Sequence, residues 1–270
     1  MRRGFKNKKR IVVKIGTSSL SYANGRLNFQ RIANLSYVLS SLRNRGLEIV
    51  LVSSGAIGVG AGRLGLVDRP TELSKKQALA AIGQAELMKI YQKFFEEFNQ
   101  TVAQVLLTKD IVTIPDRHQN AKNTLLKLIG MGIIPIINEN DTISTFEIEF
   151  GDNDTLSADV AQLIEADLLI LLSDIDGLYS ADPKKEKQAE IIRSVETITP
   201  ELEKLASGTG NSFGTGGMIT KISAAKICID AHIDTIITNG NDPSIIFDIL
   251  DGKEVGTHFV ANNRNVTQKN

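Results

Sequence analysis

Short apolar runs and longer amphipathic stretches alternate along almost the whole chain. The apolar runs at 11–15, 47–52, 102–107, 133–137, 167–172, 235–238 and 256–260 have strand length. They lack a regular polar face, which predicts strands covered on both sides. Between them, Ile32, Leu35, Val38, Leu39 and Leu42 recur at helical spacing. They predict a helix capped by Asn28, running to about Arg45 and closed by Gly46. The same spacing predicts helices over 71–98, 115–131, 155–165, 218–231 and 243–250, with Pro115 at one start and Gly132 past its end. Gly83 falls inside the second of these helices and reads as a point of close packing rather than a break. Asn24-Gly25 marks a turn, Thr17-Ser18-Ser19 a small polar loop, and 207–217 a glycine-rich segment. No repeat or low-complexity linker interrupts the alternation. It predicts an α/β fold, a three-layer sandwich with a mostly parallel central sheet.

Length and charge narrow the functional classes. At 270 residues the chain could hold one large α/β domain or two small ones. Lys plus Arg and Asp plus Glu each total 31, so the net charge is zero. That argues against a general affinity for nucleic acid or anionic membrane. The basic start MRRGFKNKKR reads as a solvated tail. It is not a signal peptide, because the apolar run after it is short and interrupted by Lys14. With no membrane-length apolar run, the expectation is a cytoplasmic protein. The single cysteine, Cys228, cannot form an intramolecular disulfide and sits in a helical pattern as a small buried hydrophobe.

Several familiar motifs are absent. Gly60, Gly62 and Gly65 satisfy GxGxxG, but they do not directly follow a strand as the dinucleotide fingerprint requires. The one Gly-Lys pair, Gly252-Lys253, continues into Glu254, so there is no Walker A loop. His118, His232 and His258 lack zinc-ligand spacing. Ser54 lies outside a GxSxG elbow, since position 52 is valine.

Candidate chemistry gathers at the ends of the apolar runs. Residues 138–154, NENDTISTFEIEFGDND, pack six carboxylates behind one of them. The two ends of this segment favour turns and caps, and the alternating 143–150 favours a β-ribbon. The whole reads as a substrate site closed by a small hairpin. Lys14 stands in an apolar strand just before Gly16 and a set of hydroxyls, placed to reach an anion. Ser53-Ser54-Gly55 follows the second strand, where open α/β sheets place ligands. Gly214-Thr215-Gly216-Gly217 precedes a helix carrying Lys221 in its first turn. That is either a phosphate site made of helix amides or a flexible surface loop. Ser173-Asp174 is either a nucleotide contact or a helix cap. No calcium loop is present, so a magnesium ion would arrive with nucleotide phosphate.

VVKIGTSSL at 12–20, VSSGAIGVG at 52–60, NENDT at 138–142, FGDND at 150–154, SDIDGLY at 173–179 and GTGGMITK at 214–221 together resemble the amino-acid kinase superfamily. Within it, they resemble the glutamate 5-kinases, which open proline synthesis. The resemblance implies a single amino-acid kinase domain over 1–270, with a glutamate-binding lobe to about 165 and an ATP-binding lobe after it. It implies ATP-dependent phosphorylation of the L-glutamate γ-carboxylate, with Mg2+ accompanying ATP and proline as a feedback inhibitor acting near Glu147. A homo-oligomer, dimer or tetramer, is also implied. Ser54, Asp141 and Asn153 match the glutamate-binding positions, and Asn153 or Ser54 is expected to fix the substrate carboxylate or backbone. Lys14 and Lys221 match the lysines that serve the transferred phosphate, with Asp152 and Asp154 organising them or the metal. Ser173, Asp174, Thr215, Gly216, Gly217, Met218, Ile219, Thr220 and Lys221 match the ATP-binding segments. Two departures stand out: Ser173 replaces a common threonine, and the chain stops at Asn270 without the PUA domain that many members carry.

Overall fold

A computed structural model of the protein describes residues 5, 7–22, 26–66, 70–144, 153–183, 185–186, 188–208 and 217–261. The strands are β1 (Arg10–Ile15), β2 (Glu48–Ser53), β3 (Val102–Leu107), β4 (Ile134–Glu139), β5 (Leu168–Ser173), β6 (Ser194–Val195), β7 (Asp234–Asn239) and β8 (Thr257–Phe259). The helices are α1 (Thr17–Leu20), α2 (Phe29–Asn44), α3 (Ala56–Arg63), α4 (Leu73–Glu96), α5 (Pro115–Gly130), α6 (Asp154–Leu163), α7 (Pro200–Gly208), α8 (Met218–Asp230) and α9 (Ile245–Leu250).

The strands form one eight-stranded sheet in the order β3-β4-β2-β1-β5-β7-β8-β6. Only the β7–β8 pairing is antiparallel. The mostly parallel sheet expected from the alternation is therefore observed, and the period-two geometry of its strands sorts side chains between two cores. Val12, Val50, Leu169, Leu171 and Ile237 join one core with residues of α6 and α8, such as Val160 and Cys228. Ile11, Val13, Leu51, Ile170 and Ile236 join the other, under α2 and α4, with Leu39 and Tyr91. Lys14 has the parity of Val12, so its side chain lies on the α6/α8 side. Asn28 caps α2, its side chain accepting from the Arg31 amide at 3.1 Å.

The glycines of the GxGxxG match have a packing role. A Cβ on Gly83 of α4 would lie 1.7 Å from the Ala56 carbonyl oxygen, and one on Gly60 of α3 would lie 2.0 Å from that of Leu79. The two helices therefore meet backbone to backbone. Gly65 follows α3 in the left-handed region, at φ 67°. Gly83→Ala is expected to force α3 and α4 apart and cost about 1–3 kcal/mol, the usual penalty of overpacking. Urea unfolding checks this, and an unchanged midpoint would refute it.

Four local expectations change. Thr17–Leu20 is a single helical turn rather than a loop. Strand β4 extends through Asn138 and Glu139, so the acidic segment begins inside the sheet. Helix α7 occupies the stretch before the glycine-rich loop; its signals were Pro200 at the start and Glu201 and Glu203 in the first turn. Part of the basic start is docked rather than solvated, while Lys9 stays exposed and Arg2, Arg3 and Lys6 lie outside the described residues. Phe5 is buried edge-on against His258 at 5.2 Å. Lys8 pairs with Asp234 at 2.8 Å. Burial pushes the Asp234 carboxyl up, but bonds from His258, Lys8 and the Ala261 amide outweigh it and hold it at about 2. The turn at 24–25 lies outside the described residues, as do most of the proposed 143–150 ribbon and Glu147.

Candidate active site

Strands β1, β2, β4, β5 and β7 run parallel, so their carboxyl ends share one edge of the sheet. That edge collects Gly16, Ser54, Glu139, Ser173 and Asn239. From β1 the chain crosses to β2 on one side, and from β5 to β7 on the other. The edge between β1 and β5 is thus a topological switch point, where ligands bind in open α/β sheets.

An ion triad occupies this point. Asp154, the first residue of α6, is fully buried. Its Oδ1 lies 2.8 Å from Lys14 Nζ and its Oδ2 lies 2.9 Å from Lys221 Nζ. Thr220 donates its hydroxyl to the same Oδ2 at 3.0 Å. Lys14 arrives from the last turn-facing position of β1, and Lys221 from the first turn of α8. Gly217 caps α8 without a side-chain bond, and Thr220 and Lys221 of its first turn both reach Asp154. Both ammonium groups are buried, where a charge is held only by close partners.

A network of amides lies beside the triad. Asn153 sits at the capping position of α6 but makes no side-chain cap. Its Nδ2 instead donates to the Ser53 carbonyl at 2.9 Å and to Asn138 Oδ1 at 2.6 Å. Asn138 Oδ1 also accepts from the Glu139 amide at 3.0 Å, while Asn138 Nδ2 donates to Gln84 Oε1 at 2.8 Å. Every donor therefore faces an acceptor, which fixes both amide orientations. Among the described residues, Asn153 Oδ1 and Ser54 Oγ are buried without hydrogen-bond partners. Beside the carboxyl ends of the strands, such atoms are open to a polar ligand. Because its nitrogen is committed, Asn153 offers an oxygen to the site. Asp141, also buried, lines a cavity of about 20 Å³ with Gln84, Ala56 and Ala80. A larger cavity of about 280 Å³, between Lys9, Arg43 and Gly132, opens at the opposite edge of the sheet and contains none of these groups.

Asp159 is an acid that sequence reading did not single out, whereas Glu139 is one of the six carboxylates of the acidic segment. Burial raises the Asp159 carboxyl to about 6, with Lys109 pulling it down and Glu139 pushing it up. Burial likewise raises Glu139, opposed by a hydrogen bond from Ser144 and by Lys109. Asp159 lies mid-helix on α6, where no motif would have marked it.

The sequence candidates fall into three groups. Lys14, Asp154, Thr220 and Lys221 converge on the triad, with Gly217, Met218 and Ile219 at the adjoining helix start. Ser54, Asn138, Asp141 and Asn153 form the amide side. Ser173 and Asp174 end β5, the serine hydroxyl donating to its neighbour at 3.1 Å, and no helix follows for them to cap. Asp152, Thr215 and Gly216 lie outside the described residues.

Comparison with known proteins places the chain in a family. Residues 9–239 match the amino acid kinase family model. The chain is 54% identical to a glutamate 5-kinase of Listeria innocua over 97% of this chain and 96% of that protein. It is 53% identical to one of Clostridium perfringens, over 97% and 98%. Among solved structures, the UMP kinase of Bacillus anthracis superposes with a TM-score of 0.62 at 16% identity, covering 95% of this chain and 97% of that one. The isopentenyl phosphate kinase of T. acidophilum gives 0.58 at 20%, covering 93% and 100%. These structures share the fold; the full-length sequence identity carries the closer relationship. The chain belongs to the amino-acid kinase family and, within it, to the glutamate 5-kinases.

Proposed function

We propose that this protein transfers the γ-phosphoryl group of ATP to the γ-carboxylate of L-glutamate, forming γ-glutamyl phosphate in the first step of proline biosynthesis. The observation that carries the mechanism is the buried Lys14–Asp154–Lys221 triad beside the unsatisfied Ser54 and Asn153 atoms. A carboxylate oxygen attacks the γ-phosphorus, the bond to the ADP oxygen breaks, and ADP leaves. No proton moves, because a glutamate side chain of ordinary pKa about 4.3 is already ionised at neutral pH. The reaction needs in-line placement and relief of repulsion between two anions.

Lys14 and Lys221 supply that relief, and Asp154 holds both ammonium groups on one line. Asp152 belongs to the same carboxylate set in this reading. Ser54 donates to the substrate α-carboxylate, while Asn153 Oδ1 and Asp141 accept from its α-ammonium. Ser173, Asp174 and residues 215–221 bind ATP, so that 1–165 forms the glutamate lobe and 166–270 the nucleotide lobe. Among the described residues no three His, Cys, Asp or Glu side chains come together as a metal site. Asp154 is turned to its lysines. That donor set suits a Mg2+ ion held mainly by nucleotide phosphates and water, which supplies further charge neutralisation when bound. Proline inhibition, a homo-oligomer and a cytoplasmic location belong to the same reading through the family. No helix among the described residues is long and apolar enough to cross a membrane.

The test is ATP turnover with Mg2+ and L-glutamate in the presence of hydroxylamine, which traps an acyl phosphate as its hydroxamate. The expected result is glutamate-dependent hydroxamate that falls when millimolar proline is added. Activity on another carboxylate but none on glutamate would overturn the substrate.

A further inference from the structure

Helix α4 approaches the substrate side of the sheet because Gly83 lets its backbone press against Ala56. The next residue, Gln84, is thereby brought to the end of β4, nearly buried, with its Oε1 accepting from Asn138 Nδ2. Two turns along the same face, the fully buried Tyr91 hydroxyl lies 2.8 Å from Ser53 Oγ. Both acceptors of the Asn153 amide nitrogen, Asn138 Oδ1 and the Ser53 carbonyl, thus belong to residues gripped from α4.

We propose that Gln84, supported by Tyr91, is a positioning residue for recognition of the substrate ammonium, acting through Asn138 on Asn153. This rests on the functional reading above and extends it to a helix that bears none of the assigned contacts. The physical reason is accounting of donors. Without the Gln84 oxygen, Asn138 keeps a buried N–H with no acceptor, an arrangement proteins avoid. It cannot flip, because its nitrogen would then face the Glu139 amide and the Asn153 nitrogen. It can only swing toward other acceptors around the small cavity, where residues 139–142 lie. Asn153 Oδ1 moves with it, away from the ammonium it accepts.

The experiment compares L-glutamate with glutarate, which lacks the α-ammonium, in the hydroxamate assay. Gln84→Met keeps the volume and removes the acceptor. It is expected to raise KM for L-glutamate about tenfold, equivalent to loss of one well-placed polar contact. KM for ATP and kcat should stay within about twofold, and the preference for L-glutamate over glutarate should narrow by the same factor of about ten. Gln84→Glu retains the acceptor and should keep that preference at or above the wild-type value. Tyr91→Phe removes one hydroxyl and should narrow it in the same direction. Should Gln84→Met fail to fold, the Tyr91→Phe and Gln84→Glu ratios decide the matter. An unchanged preference in the folded variants, or an equal loss for both substrates, overturns the positioning role. A wild-type protein silent with L-glutamate overturns the functional reading itself.

Discussion

Lys14→Ala will lower kcat for glutamate-dependent hydroxamate formation by about three orders of magnitude, the scale seen when a preorganised charged or hydrogen-bonding group is removed from a transition state. The side chain is 3% exposed and is fixed by Asp154 at 2.8 Å, so its ammonium is in place before substrate arrives. Water cannot replace it cheaply in such a setting, because a buried ionic contact is far stronger than one in solvent. Lys221 approaches the other oxygen of Asp154 and is already engaged there. The two lysines are therefore not redundant. KM for glutamate should move much less than kcat, since the charge matters most as the phosphoryl group transfers. Arginine should not restore activity, because a planar guanidinium does not reproduce the compact ammonium charge of lysine. Steady-state kinetics checks this, and a Lys14→Ala enzyme within tenfold of wild type would remove the lysine from the mechanism.

Asp154→Asn will cost about 3–5 kcal/mol of folding stability, the range for breaking a buried ion pair by deleting one partner. The substitution preserves shape while removing the carboxylate that lies between two buried ammonium groups, and a bound anion can take over part of its charge. ATP should therefore raise the thermal midpoint of the variant by more than it raises that of the wild type, because the nucleotide phosphates supply the missing negative charge. Activity should fall at least hundredfold, since the lysines lose the group that aligns them. Differential scanning calorimetry with and without ATP gives the answer. A variant as stable as wild type, or one indifferent to ATP, would show that Asp154 does not neutralise the pair.

The strands and most helices were legible because buried parallel strands and amphipathic helices leave strong periodic signals, as at 168–173 and in Leu35, Leu39 and Leu42 of α2. Short elements were not. Thr17–Leu20 and Ser194–Val195 contain too few residues for any period to appear. The site was readable in its residue types and only partly in its geometry. Lys14 was marked by a charge in an apolar strand and Lys221 by the glycines before its helix. That both meet one carboxylate requires β1, α6 and α8 to converge, which no local pattern encodes. Asn153 shows the limit most directly. The sequence marks it as a turn residue before a helix expected from 155, but it stands at the capping position of a helix that begins at Asp154, and its nitrogen reaches tertiary acceptors on Ser53 and Asn138. Gln84 left no signal at all, since a single polar residue on a long helix resembles any solvated position.

The placement of β1 also governs the order in which the protein can be completed. It precedes every other described strand in the chain, yet it lies in the middle of the sheet, paired on one side with β2 and on the other with Leu168–Ser173. One of its edges must therefore stay open while some 150 further residues are made. An open, mostly apolar strand edge is a template for pairing with another chain. Pairings so distant in sequence also form slowly. The arrangement that sets Lys14 at the switch point thus delays the closing of its own strand, and makes the nascent first half the stage at which this protein is most prone to aggregate.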